Sequence, residues 1–66
     1  MIYSLQGFQA DSDQGCDAER FADTLKEAKQ TARYMLSEQY RIASEASKRL
    51  ALVQIWKGNE LITEMD

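Results

Sequence analysis

The chain has 66 residues, with 8 basic and 11 acidic side chains, no histidine, no proline and one cysteine. That length accommodates one domain, residues 1–66, which can bury only about 60% of its unfolded surface, and neither a disulfide nor a structural zinc is available to staple so small a core. Without histidine there is no Ser-His or Cys-His nucleophilic pair and no imidazole base, and the three glycines form no phosphate-cradling loop.

Charge is unevenly distributed. Residues 1–23 carry five acids and one base, residues 24–57 seven bases and three acids, and residues 58–66 three acids. The net charge of −3 argues against a general nucleic-acid binder held by phosphate neutralisation. No apolar run approaches the roughly 20 residues of a membrane span and no signal-peptide core appears. The expectation is a soluble protein of a reducing cytoplasm, where a single free thiol is at home.

The opening MIYSLQGFQ alternates as a strand does, with Tyr3 and Leu5 on one side and Ile2, Ser4, Gln6 and Phe8 on the other. ADSDQGCD follows without periodicity, rich in side chains that bond their own backbone, and reads as a surface loop. Thr24 and Glu27 form a T-x-x-E capping box that starts the main helix, after a short turn at 18–22. Leu25, Ala28, Ala32, Met35 and Leu36 recur at helical spacing as its buried stripe. Periodicity alone would carry this helix through Leu50, with Glu45 between Arg41 and Arg49 at four-residue spacing. A single rod of that length overshoots so small a domain, so a break is expected near Ser37 or within Ser44–Ser47.

LALVQIWK and ELITEM are β-rich runs separated by Gly58-Asn59, a pair suited to a type II′ hairpin turn. This register sets Trp56 opposite Leu61, Ile55 opposite Ile62 and Lys57 opposite Glu60. The expected fold is therefore α+β, with order β-α-β-β: a three-stranded antiparallel sheet, one main helix on one face, and a break or short second helix in 37–47.

Strand alternation sorts the hairpin into two apolar sets, Val53, Ile55 and Ile62 against Leu52, Trp56, Leu61 and Met65. One helix covers one face. The second face calls for the 37–49 segment, a second copy of the chain in a homodimer, or another protein to cover it. Trp56 is its most prominent side chain, since Trp is enriched at interface centres.

Few residues carry chemistry. Cys16 stands among carboxylates that disfavour its thiolate. Asp11, Asp13, Gly15, Asp17 and Glu19 superficially suggest a calcium loop, but the fifth position is Gly15, the glycine position is Cys16 and the twelfth is Ala22. No metal, cofactor or catalytic residue is assigned, and the chain is read as a non-enzyme. The acidic stretch Asp11, Asp13, Asp17, Glu19 and Asp23 is a candidate surface for a basic protein partner. Lys26, Lys29 and Arg33 share one flank of the helix and form the alternative, a face for nucleic acid.

FADTLKEAKQTARYML followed by VQIWKGNELI resembles small phage- and prophage-encoded accessory proteins, in which a strand leads into such a helix and a hairpin closes the chain. Phe21, Thr24, Leu25, Glu27, Ala28 and the Trp56–Leu61 hairpin carry the likeness. The resemblance implies an accessory protein of a mobile element, acting in a host cytoplasm, of a kind that inhibits host defence proteins by occupying a basic surface.

Overall fold

The computed structural model describes residues 2–10 and 16–66. Six elements follow in order: strands β1 (Tyr3–Phe8) and β2 (Ala18–Ala22), helices α1 (Leu25–Met35) and α2 (Glu38–Ala43), and strands β3 (Leu52–Lys57) and β4 (Glu60–Met65). They build one four-stranded antiparallel sheet in the order β2-β1-β3-β4, with the helices on one face. Because β2 and β3 both run antiparallel to β1, they are parallel to each other. The two helices make the crossover between them, over the strand they flank.

The expected three-stranded sheet is thus corrected to four, and the turn expected at 18–22 is β2. AERFA carries a weak period-two signal, since the two residues that close on the helix layer, Ala18 and Ala22, are small. Pairing supplies what the sequence pattern lacks: β1 would otherwise present an open row of backbone donors and acceptors along that side.

α1 begins where its cap dictates. Thr24 is extended (φ −131°, ψ 159°), and its hydroxyl accepts from the Glu27 N–H at 3.1 Å. The Glu27 carboxylate reaches back one residue further than a capping box requires, accepting from the Asp23 N–H at 3.3 Å. Ala28 and Ala32 are fully buried, so the helix axis lies close over Leu5, Val53 and Ile55, and Met35 completes the core. Both anticipated break points are used. The Ser37 hydroxyl accepts from the Tyr40 N–H at 3.3 Å to start α2. α2 ends at Ser44 in a Schellman motif, with Glu45 N–H donating to the Ile42 carbonyl at 3.1 Å and Ala46 N–H to the Arg41 carbonyl at 3.0 Å. Glu45 holds the left-handed position, φ 58°. The ion-pair partner of both Arg41 and Arg49 is Glu38, rather than the expected Glu45.

Gly58 has φ 62°, as the first position of a type II′ turn requires, and Trp56 opposes Leu61 and Lys57 opposes Glu60 as expected. Between them and the rest of the hairpin the register shifts: Ile55 pairs with Thr63, not Ile62, because a bulge admits one extra β4 residue. Ile62 and Met65 both pack against the core. Met65, expected beside Trp56, is paired with buried Val53 and lies on the helix face of the sheet. Among the described residues no helix is long and apolar enough to cross a membrane.

Candidate interaction face

The helices and the 44–51 segment all lie on one side. Tyr40 and Leu50 pack on the core from that side, and Leu50 sits against Gly7. Among the described residues, the helices and the 37–49 segment therefore leave the opposite sheet face uncovered. That face is built in rows running across the strands, because antiparallel register aligns residues from distant parts of the chain.

One row is Phe21–Ser4–Trp56–Leu61. Phe21 is 62% exposed on β2 and Leu61 40% exposed on β4, while Trp56 is half-buried. Small Ser4 stands between the two aromatic residues in the row. A shallow hollow of about 260 Å³ opens beside Trp56, lined also by Ser4, Gln6, Gly58 and Asn59.

The adjacent row is Glu19–Gln6–Gln54–Glu64, two amides between two carboxylates. Its far half is ordered by hydrogen bonds: Trp56 Nε1 donates to Gln54 Oε1 at 3.1 Å, and Gln54 Nε2 donates to Glu64 Oε1 at 3.2 Å. The third row pairs Phe8 with Leu52. Leu52, Trp56 and Leu61 therefore share this face as expected. Glu19, Phe21 and the polar row were not foreseen as a unit; the alternation of Glu19 and Phe21 around Arg20 was the one signal in the sequence that could have revealed them.

The structure describes three residues of the acidic stretch, Asp17, Glu19 and Asp23. Asp11 and Asp13 lie outside the described residues. Asp17 and Asp23 flank β2, six extended residues apart, or roughly 20 Å. The Asp17 carboxylate accepts from the Gln9 N–H at 2.7 Å, which commits it to closing the β1–β2 connection. Among the described members of the set, Glu19 lies within β2 and, paired with Gln6, belongs to the uncovered face.

The lysines and arginines lie on the other side. Lys26, Lys29 and Arg33 are exposed on α1, Arg41 is on α2, and Lys48 and Arg49 are in the segment after it. Arg20 shares its strand parity with the residues facing α1, being paired with buried Leu5, and Lys57 alternates in phase with Ile55. A second cavity, about 210 Å³, lies on this side between α2 and the β1–β2 connection, with Tyr40, Arg41, Lys48 and Asp17 in its wall. The Arg41 guanidinium holds the Glu38 carboxyl below the usual carboxylate range by hydrogen bonding, with Arg49 adding to the attraction.

Cys16 is exposed. Among the described residues, no three Cys, Asp or Glu side chains converge as a metal-ligand set. Comparison with protein-family models, with curated proteins and with solved structures finds no match.

Proposed function

We propose that this chain is a small non-enzymatic protein-interaction module whose working surface is the uncovered face of the sheet. The observation that carries the reading is the row Phe21–Ser4–Trp56–Leu61, an aromatic-rich strip left in water beside two carboxylates while the molecule's own helices cover only the other face. This suits the accessory, inhibitory role in a host cytoplasm that the phage-like sequence pattern implies, in which an acidic module occupies a basic site on a host protein. The acids that would do so are Glu19 and Glu64, rather than the whole Asp11–Asp23 stretch.

A second reading rests on a separate observation: every lysine and arginine of the chain lies on the helix side of the sheet, with Lys26, Lys29 and Arg33 along one flank of α1. In that reading the helix side meets a nucleic-acid backbone. One experiment separates the two. A photo-reactive phenylalanine analogue at position 21 and another at position 29 are irradiated in host-cell extract. Protein adducts at 21 that are absent at 29 support the first reading; nucleic-acid adducts at 29, abolished by moderate salt, support the second. Silence at position 21 removes the first.

A further inference from the structure

The occupant of the uncovered face follows from its charge and its size, given the interaction reading above, on which this inference rests. We infer that the face receives a basic amphipathic helix of another protein, lying across the strands along the row Phe21–Ser4–Trp56–Leu61.

Charge decides the sign. Glu19 and Glu64 end the row next to the apolar one, and no lysine or arginine of the chain projects onto this face. A second copy docked face to face would bring four carboxylates into an apolar contact with no cation to meet them, a desolvation cost without return. A cationic partner meets both.

Size decides the shape. Four strands about 4.8 Å apart and some 20 Å long give a footprint about 20 Å on a side, the width of a few helices and not of a large globular interface. It matches one helix about 10 Å wide and about four turns long. The hollow beside Trp56, with Ser4 in its wall, takes an apolar side chain, as anchors do in helix-in-groove recognition. Glu19 and Glu64 stand three strand spacings apart, about 14 Å. Lysines or arginines two to three helical turns apart along the flank of the docked helix reach them both.

Trp56 is the sole tryptophan and lies in the face, so its emission reports occupancy. The probe is a synthetic amphipathic Leu/Lys helix of about 14 residues, long enough to cross the sheet, titrated against the full chain beside a Leu/Glu helix of the same pattern. The Leu/Lys helix is expected to shift the Trp56 emission and to bind at least ~10-fold more tightly than its Leu/Glu counterpart. The E19Q/E64Q variant should lose ~10-fold of that affinity, while E45Q/E60Q, which removes the same net charge from elsewhere, should change it less than ~2-fold. Circular dichroism confirms that both variants fold.

Equal binding of the two helices, or equal losses from the two glutamate pairs, overturns the inference and leaves the interaction reading in place. Dimerisation that buries Trp56 at the working concentration does the same in favour of a second copy. If neither helix perturbs Trp56, the inference is overturned as well; if position 21 then also traps no protein, the interaction reading falls with it.

Discussion

The indole of Trp56 is held by its neighbour two residues back on the same strand: Nε1 donates to Gln54 Oε1 at 3.1 Å, and the Gln54 amide is oriented in turn by Glu64. Residues i and i+2 of a strand share a face, so this pairing runs along the surface and does not staple the core. Its effect is on the ring's position.

Replacing Gln54 with methionine keeps the bulk of the side chain and removes the acceptor. Stability should fall by about 0.5–1.5 kcal/mol, the worth of a hydrogen bond partly open to water. Trp56 should become more accessible to acrylamide quenching, with its emission shifted to the red. An unchanged Stern–Volmer slope would show that packing alone positions the ring.

Glu45 occupies a left-handed position at which a Cβ is disfavoured by roughly 1–2 kcal/mol. Glycine relieves that strain but enlarges the unfolded ensemble by about 0.5–1 kcal/mol. Glu45→Gly should therefore stabilise the protein by about 0.5–1 kcal/mol, read as a higher urea midpoint at constant slope.

Gly7 is buried in β1, and a Cβ there would collide with the end of the Leu50 side chain. Leu50 is half-buried and flexible at that end, so Gly7→Ala should displace it from the core at a cost of about 1 kcal/mol. A double-mutant cycle of Gly7→Ala with Leu50→Ala is expected to show coupling of at least ~0.5 kcal/mol. Additive losses would mean that the strand backbone absorbs the methyl group.

Arg41 holds the folded-state Glu38 carboxyl below its ordinary range. A depressed carboxylate contributes stability that is present above its unfolded pKa and is lost as pH falls through the lowered folded one. Melting temperature should therefore decline on the acid side of the ordinary glutamate range, and Glu38→Gln should flatten that part of the profile. The pair is open to solvent, so high salt should mute the same feature.

The readable parts of the fold are those fixed locally. Thr24 and Glu27 announce the start of α1, Ser37 and Ser44 mark where α2 begins and ends, and Gly58-Asn59 closes the hairpin, each through a bond or dihedral made within a few residues. β2 was hidden because Ala18 and Ala22 add little to an alternation, and its existence depends on β1, ten residues upstream. Met65 was misplaced because strict alternation cannot foresee the extra residue at Ile62, whose side chain joins the core instead of changing faces. The row Glu19–Gln6–Gln54–Glu64 needs the registers of three strand pairs at once. No window of the sequence contains it.

β1 lies in the middle of the sheet, yet its two neighbours come from opposite ends of the chain: β2 follows after a short connection, while Ser4 meets Trp56 only across the whole helical crossover. The protein thus combines one local hairpin with one pairing of very high contact order, and the second closure should govern its folding rate. On a ribosome, the β1–β2 hairpin and α1 emerge with Leu5 still lacking Val53 and Ile55. Until β3 arrives, one side of β1 remains an unpaired edge able to recruit another strand. In crowded expression, aggregation should therefore track the interval before β3 docks more closely than the stability of the finished fold.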